Sequence, residues 1–163
     1  MIAVEHELTL RVSPERVWTA LTDFAGYAAW HPSLRLGGDL EVGKTFDFGY
    51  VNARTGWETG AADAVITRLE PAGVLEWRVG IRFLFSFTES CTLDPVPGGT
   101  RLVHRVEYGG LAIALAPKRF AAKWHTRVRN ADVALQRYLE APKAPARTDK
   151  AALRRARPKC RTR

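Results

Sequence analysis

The sequence predicts an α+β domain in which a curved, seven-stranded antiparallel sheet surrounds a long C-terminal helix. Three observations predict this arrangement. Short segments in which apolar and polar residues alternate occupy the middle of the chain, and turn residues separate them. Two brief helical segments follow the first strand. The longest segment with apolar residues at three- and four-residue steps comes last, from Pro117 to Glu140.

The N-terminal part is predicted to be a strand followed by two short helices. Residues Ile2–Val12 alternate in part and contain no breaker. Ser13 is a suitable N-cap for a helix with Pro14 in its first turn, where proline's missing N–H loses no hydrogen bond. After an interruption at Gly26, residues Tyr27–Trp30 form another helical turn. That turn ends at the His-Pro pair that follows, because a residue before proline avoids the helical region.

Six further strands are predicted between turns that contain glycine or proline. In chain order they are Leu34–Leu40, Lys44–Ala53, Trp57–Glu70, Val74–Ile81, Phe85–Leu93 and Arg101–Tyr108. The segment Pro95–Gly99 is typical of a hairpin loop. Because the turns between these strands are short, the sheet is expected to be antiparallel.

The C-terminal helix carries an apolar stripe that has to be buried. Its members are Phe120, Trp124, Val128, Ala131, Leu135, Tyr138 and Leu139. Pro142 lies just past the predicted end, where proline commonly follows a helix. Since strands make up most of the preceding chain, the sheet is the expected partner of this stripe, with a cavity between them.

Charge divides the chain into a neutral domain and a basic tail. The 163 residues carry a formal net charge of +8. Nine basic residues and one acidic residue follow Pro142, whereas residues 1–142 contain 16 of each sign. We therefore predict a folded domain over residues 1–141 and a disordered tail over residues 142–163. Only the tail is expected to attract nucleic acid or an anionic surface, and the alternative is a solubilising extension.

Several classes of protein are disfavoured by the composition. No apolar run approaches the roughly 20 residues of a membrane-spanning helix. The N-terminus carries Glu5 and Glu7 and does not resemble a signal peptide, so a cytoplasmic location is expected. Two cysteines, Cys91 and Cys160, suit a reducing compartment. The four histidines lack the spacing of a metal signature, and no phosphate-binding loop is present, so neither a metal nor a cofactor is predicted.

Scattered motifs resemble those of a known superfamily. They are Val12–Trp18, Asp23-Phe24 with Trp30-x-Pro32, Pro71 before Leu75-x-Trp77, and Gly99–His104 with Gly110-Leu111. With the order of elements, they resemble the helix-grip fold of the START/Bet v 1-like (SRPBCC) superfamily, in its bacterial polyketide cyclase/dehydrase-like branch, over residues 1–141. The resemblance implies a cavity for a small hydrophobic ligand. It does not imply one reaction, because members bind, transport, cyclise or act as chaperones.

His104 and Glu89 are the strongest candidates for polar chemistry. Alternation places His104 on the same face of its strand as Leu102 and Val106, and Glu89 on the same face as Phe87 and Cys91. A hairpin centred near Pro97-Gly98 would set Cys91 opposite His104, with Glu89 diagonally within reach. A carboxylate beside an imidazole in an apolar cavity can act as a general base. The alternatives are a pair that only satisfies itself, or a register that points one member outward.

Aromatic residues are the predicted walls of the ligand cavity. The candidate cavity residues are Trp30, Phe46, Phe48, Tyr50, Trp77, Phe87, Cys91, Tyr108, Phe120, Trp124 and Val128. The alternative is that these side chains simply fill the core. His31 is predicted to be a surface-loop histidine, and otherwise a residue of the cavity entrance.

Three functional hypotheses follow. The first is a carrier or sensor of a small hydrophobic molecule, lipid-like or aromatic and polyketide-like. The second is a cyclase- or dehydratase-type enzyme that uses His104 and Glu89. The third is a protein-interaction or chaperone-activating module. The sequence does not choose between an enzyme and a binding protein, and it predicts no oligomeric state.

Overall fold

A computed structural model describes residues 1–52, 58–81, 83–117 and 119–142. Its elements confirm the predicted α+β architecture. The strands are β1 (Ile2–Leu10), β2 (Leu34–Gly37), β3 (Thr45–Val51), β4 (Glu58–Glu70), β5 (Val74–Ile81), β6 (Phe85–Val96) and β7 (Gly99–Gly109). The helices are α1 (Pro14–Thr22), α2 (Tyr27–Trp30), α3 (Leu111–Ala114) and α4 (Phe120–Glu140), and a single 3₁₀ turn spans Phe24–Gly26. The predicted tail lies outside the described residues, apart from Pro142.

The seven strands form one curved antiparallel sheet in the order β1-β7-β6-β5-β4-β3-β2. Consecutive strands from β2 to β7 are neighbours, as short turns require. The exception is β1, which pairs with β7 from Ile2 opposite Tyr108 to Leu10 opposite Thr100. The first strand therefore extends the sheet beside its last strand.

The hairpin between β6 and β7 is tighter than the sequence suggests. Val96 pairs with Gly99, so both strands extend into the predicted loop and only Pro97 and Gly98 form the turn. Gly98 has a φ of 84°, a conformation that glycine adopts without steric penalty. A Cβ at Gly99 would collide with the carbonyl of Leu10, so glycine is needed there for β1 to approach.

The core lies between the sheet and the helices. Its largest fully buried side chains include Trp77, Tyr27, Tyr108, Leu102 and Leu135. These residues come from β5, α2, β7 and α4, so one apolar cluster joins the sheet to the helical layer. Burial of this apolar surface is the main force that holds α4 against the sheet.

Helix α4 differs from its prediction at its start and on one face. It begins at Phe120, not at Pro117, and ends at Glu140 as predicted. Val128, Ala131, Leu135 and Leu139 are buried, whereas Tyr138 is exposed, because it lies at the edge of the stripe. Two hydrogen bonds fix this end: the backbone N–H of Arg11 donates to Glu140 (2.8 Å), and the Arg16 guanidinium donates to the Leu139 carbonyl (2.8 Å).

The first helix begins where the sequence predicts, but without the predicted side-chain cap. Ser13 precedes Pro14 in an extended conformation, and its hydroxyl accepts no hydrogen bond from the first helical turn. Its backbone carbonyl instead accepts from the N–H groups of Arg16 and Val17. The N-terminus of α1 is thus ordered by backbone geometry and by Pro14.

Candidate functional site

The predicted pairing of β6 with β7 is confirmed in register. Cys91 lies opposite His104, and Glu89 lies opposite Val106. Glu89, Cys91 and His104 are all buried. The His104 imidazole donates through Nε2 to Oε1 of Glu89 at 2.9 Å. The sheet therefore holds a carboxylate and an imidazole together in the core.

Asp132 on α4 is a further member of this site, and it is not among the residues predicted from sequence. Its Oδ1 accepts a hydrogen bond from Nδ1 of His104 at 2.7 Å, and its Oδ2 accepts one from Nδ1 of His6 at 2.7 Å. One signal could have found it. Asp132 lies four residues after Val128 and three before Leu135, so it interrupts the apolar stripe on the face that has to be buried.

His6, Asp132, His104 and Glu89 thus form a continuous hydrogen-bonded series, here called the polar chain. It runs through β1, α4, β7 and β6. At one end the side chain of His6 is 18% exposed, and its ring meets that of His125 edge-on, with centroids 6.3 Å apart. At the other end Glu89 is buried. The polar chain therefore connects the protein surface to the core.

The imidazole of His104 is held in its charged form. Burial alone would lower its pKa, but attraction to the Asp132 carboxylate, with hydrogen bonds to Asp132 and Glu89, raises that pKa well above its ordinary value. Burial raises the pKa of the Cys91 thiol to about 12, so Cys91 is uncharged near neutral pH. The two carboxylates are then the groups that stabilise the imidazolium. With both ring N–H groups donated, His104 has no lone pair left to accept a proton.

His31 is buried, and the prediction of a surface-loop histidine is wrong. Its Nδ1 accepts hydrogen bonds from the backbone N–H groups of Ser33 (3.2 Å) and Leu34 (2.8 Å). Burial, with the positive charges of His104, Arg127 and Arg35, lowers its pKa to about 3. His31 is therefore neutral, and it fixes the turn between α2 and β2.

Two small cavities adjoin the polar chain. The Trp77 cavity, of about 10 Å³, is bounded by Leu21, Tyr27, Trp30, His31, Trp77, Glu89, Cys91, His104, Ala131, Asp132 and Leu135. The Tyr108 cavity, of about 20 Å³, is bounded by His31, Tyr50, Glu89, His104, Val106, Tyr108, Trp124, Arg127, Val128 and Ala131. Glu89 and His104 belong to both walls. Each cavity has room for about one water molecule, so a larger ligand requires side chains to move.

Two buried indole N–H groups of the described residues lack a hydrogen-bond acceptor. Nε1 of Trp30 and Nε1 of Trp77 are the buried side-chain polar atoms that lack a hydrogen bond in the described part of the chain. Both residues bound the Trp77 cavity, and Trp77 pairs with Glu89 across β5 and β6. An unsatisfied buried donor is unfavourable by about 1–3 kcal/mol, so an acceptor placed in this cavity would be bound favourably.

The predicted cavity residues divide into those at the cavities and those behind them. Trp30, Trp77, Cys91, Tyr50, Tyr108, Trp124 and Val128 bound one cavity or the other, whereas Phe46, Phe48, Phe87 and Phe120 bound neither. The second group packs against the first. Phe87 lies 5.7 Å from Tyr108 and Phe120 lies 5.1 Å from Tyr108, measured between ring centroids. The geometry alone assigns no ligand to either group.

Arg127 closes one side of the Tyr108 cavity. Its guanidinium lies 3.9 Å from the ring centroid of Tyr50 and 4.9 Å from that of Trp124, and it donates to the Ser33 hydroxyl at 3.1 Å. Such stacking of a cation on aromatic faces is favourable. Burial raises the pKa of Tyr50 and of Tyr108, so both phenols stay protonated and can donate hydrogen bonds.

Comparison with known proteins decides the family. The model of the family described as "Polyketide cyclase / dehydrase and lipid transport" matches residues 1–140. The chain belongs to this family. No curated protein matches it. Its helix-grip fold, with the seven-stranded sheet around α4, is the fold that the sequence motifs predict.

Solved structures share the fold of this polyketide cyclase/dehydrase-family protein at low identity. Protein CV1439 from Chromobacterium violaceum is 19% identical with a TM-score of 0.71, over 86% of this chain and 98% of that one. Ara h 8.0201 is 14% identical with a TM-score of 0.66, over 85% and 97%. DynU16, from the dynemicin biosynthetic locus, is 19% identical with a TM-score of 0.66, over 85% of this chain and 47% of that one.

The described part of this family member offers no metal cluster and no membrane span. Within the described ranges, no three histidine, cysteine, aspartate or glutamate side chains are grouped so as to hold a metal ion. None of the helices found there is long and apolar enough to span a membrane. The groups of the polar chain offer acid–base and hydrogen-bonding chemistry.

Proposed function

We propose that this protein binds a small hydrophobic molecule, lipid-like or aromatic, between the sheet and α4, and that a polar group of the molecule contacts Glu89. The Trp77 cavity is the observation that carries the proposal. Its wall contains two tryptophans with unpartnered indole N–H groups and the Glu89 carboxylate, together with apolar side chains such as Leu21, Ala131 and Leu135. A ligand hydroxyl suits this cavity, since it can accept from an indole and donate to Glu89.

The neighbouring aromatic residues support a ring-containing or lipid-like body for the ligand. Tyr50, Tyr108 and Trp124 surround the second cavity, and the Glu89–His104 pair separates it from the first. A ligand that displaced these rings would contact aromatic faces on one side and the polar pair on the other. Apolar walls with a few convergent polar groups are typical of small-molecule sites. The family description, which includes lipid transport, agrees with this class of ligand.

Native mass spectrometry of freshly purified protein tests the proposal. A co-purifying apolar compound, or a lipid or polyketide-like compound that raises the melting temperature, is the expected result. For such a ligand, Glu89→Gln should weaken binding about tenfold, because a charged acceptor is replaced by a neutral one. Ser90→Ala is the matched control, since the neighbouring residue on β6 points to the opposite face of the sheet. If no such compound binds, the proposal fails.

A second candidate function is acid–base catalysis, and the polar chain favours it. Only Oε1 of Glu89 engages His104, so Oε2 can take a proton from a ligand in either adjoining cavity. Because His104 is already protonated, Glu89 would be the base, and His104 would orient it and stabilise its charge. A dehydration or cyclisation that begins by proton abstraction next to a carbonyl needs such a base.

Turnover of an identified ligand separates the two candidates. Each compound that binds is incubated with the protein and its products are analysed by mass spectrometry. In the enzymatic case Glu89→Gln abolishes turnover while binding remains measurable, and His104→Ala removes turnover from a protein that still folds. If a ligand binds and is recovered unchanged, the result supports a carrier or sensor and not an enzyme.

A further inference from the structure

Five large apolar side chains are exposed at one end of the molecule. Three come from the end of β5 and the β5–β6 turn: Ile81 (68% exposed), Phe83 (72%) and Leu84 (55%). Two come from α3 and the residue after it: Leu111 (69%) and Leu115 (87%). We call these five residues the Leu115 patch. Single exposed apolar residues are common on proteins, but five on adjoining segments indicate an interaction surface.

Backbone contacts hold the two segments of the patch together. The N–H of Leu111 donates to the Phe83 carbonyl at 2.9 Å, and the N–H of Ala112 donates to the Leu84 carbonyl at 3.0 Å. Gly110 permits this approach, because its φ is 101° and a Cβ there would lie 2.6 Å from the Leu84 carbonyl oxygen. The patch is therefore a built surface formed by two segments distant in sequence.

One aromatic residue of the patch has an unusual backbone conformation. Phe83 has a φ of 71°, a conformation that bulky L-residues rarely adopt. A folded chain accepts such a conformation where the surrounding structure requires it. Most of the Phe83 side chain is nevertheless exposed. The geometry of the turn thus presents an apolar side chain outward.

The sequence around the two segments of the patch is basic and lacks acidic residues. From Gly80 to Thr88 and from Tyr108 to Ala131 the sequence contains no aspartate or glutamate. In the same stretches it contains six lysines and arginines: Arg82, Lys118, Arg119, Lys123, Arg127 and Arg129. Residues 1–142 as a whole carry equal numbers of both signs, so these two stretches are more basic than the rest of the domain. Arg119 and Lys123, at the start of α4, are exposed.

We propose that the Leu115 patch docks the protein on an anionic lipid bilayer. The apolar side chains enter the boundary between headgroups and acyl chains, and cations near the start of α4 contact lipid phosphates. Exposed apolar residues flanked by lysine and arginine are the combination that binds such an interface. The proposal goes beyond the function proposed above and does not depend on it.

Vesicle flotation of the full-length protein tests docking. Large vesicles of phosphatidylcholine, with and without phosphatidylglycerol, are mixed with wild-type protein and with the double variant Leu84→Ser/Leu115→Ser, which changes one exposed residue in each segment. The wild type is expected to float with the anionic vesicles. The double variant is expected to bind them about tenfold more weakly or worse, because two leucines lose their contact with lipid. Val42→Ser, another exposed apolar residue, is the matched control and should bind as wild type does.

The basic tail requires its own control, since it can attract anionic lipid by charge alone. Every variant keeps the tail, and the comparison is repeated at high salt, where attraction between charges is screened but apolar insertion is not. A difference between wild type and double variant that persists at high salt supports docking through the patch. Equal binding, or no binding by the wild type, overturns the proposal.

A second copy of the chain is the competing occupant of the patch. Light scattering of the lipid-free protein measures this directly. A wild-type dimer that the double variant lacks would overturn membrane docking in favour of self-association. A cooperative thermal unfolding transition is the check that the double variant is folded. The absence of any co-purified ligand would leave this test unaffected, so docking and ligand binding fail separately.

Discussion

Oδ1 of Asp132 and Nδ1 of His104 lie 2.7 Å apart, although 28 positions separate the two residues and they belong to different layers of the fold. The bond joins α4 to β7 in the core. The second oxygen of the same carboxylate holds His6 on β1. One side chain therefore fixes the helix against two neighbouring strands, and its contribution to stability can be measured.

We predict that Asp132→Asn destabilises the protein by about 3 kcal/mol or more, because its carboxylate is the charged acceptor of two hydrogen bonds, from His104 and His6, each worth about 1.5–3 kcal/mol. Urea unfolding followed by circular dichroism gives the free energy of unfolding. Glu7→Gln is the control: Glu7 pairs with Arg101 at 2.8 Å on the exposed face, where solvent screens an ion pair and its contribution to stability is small. Equal effects of the two substitutions would refute the buried network.

The neutrality of His31 predicts a loss of stability in acid. Its pKa is about 3 in the folded protein against an ordinary value of 6.5, so below pH 6.5 the unfolded chain binds a proton that the folded chain does not. Stability is full above pH 6.5 and falls with pH down to about 3. At pH 4.5 the loss from His31 alone is about 2–3 kcal/mol, since each unit is worth about 1.4 kcal/mol.

His31→Asn isolates this contribution, because the asparagine carbonyl can accept the same two backbone N–H groups without titrating. The acid slope between pH 6.5 and 4.5 should flatten relative to wild type, whereas the exposed His125→Asn should retain it. The contribution of His104 to stability depends on pH in the opposite direction. Its raised pKa gives stability that is full below pH 6.5 and lost as pH rises through the raised value. An unchanged acid slope in His31→Asn would contradict the assignment.

Cys91 is predicted to be chemically inert in the folded state. Burial raises its pKa to about 12, so at pH 8 the thiolate is about a thousandfold scarcer than for an ordinary thiol. In a Cys160→Ser background, iodoacetamide should label Cys91 only after unfolding, as read by mass spectrometry. The converse variant, Cys91→Ser, reports Cys160 alone and separates the two signals. Rapid labelling of folded Cys91 would show that the core around Glu89 admits solvent.

Two residues on α4 test where the helix meets the sheet. Leu135 is fully buried, and Leu135→Ala should destabilise the protein by about 2–5 kcal/mol through lost burial and a residual cavity. Tyr138, three residues later, is exposed, and Tyr138→Ala should change stability by less than about 1 kcal/mol. Thermal and urea unfolding of both variants measure the contrast. Similar losses would mean that the helix packs in a different rotation.

The sequence predicts those parts of the structure that depend on local periodicity. Apolar and polar residues alternate in β5, β6 and β7. This alternation predicts where the strands lie, which face of the sheet each side chain occupies, and the pairing of Cys91 with His104. The ends of elements are less predictable, since α4 starts three residues after Pro117 and both strands of the last hairpin extend into its loop. Strand ends depend on tertiary pairing as well as on local turn residues.

The candidate site is predictable only within one hairpin. Glu89 and His104 follow from register, but Asp132 is 28 positions from His104 and 126 from His6, and no local pattern joins them. The role of this carboxylate in an apolar stripe depends on the two histidines that donate to it, and these lie on two other elements. The burial of His31 cannot be predicted from the local sequence for a similar reason. It depends on Tyr27 and Trp30 beside it and on backbone N–H groups that follow it.

The pairing of β1 with β7 has a consequence for synthesis of the chain. Ile2 is synthesised before its partner Tyr108, so β1 remains without that partner while about 100 further residues are added. At about 5–20 residues per second this interval lasts roughly 5–20 seconds. During that time β1 is an unpaired strand, and Glu5, His6 and Glu7 near its centre disfavour premature association with other nascent chains. The residues that later pair with arginines and with Asp132 thus also protect the strand before its partners exist.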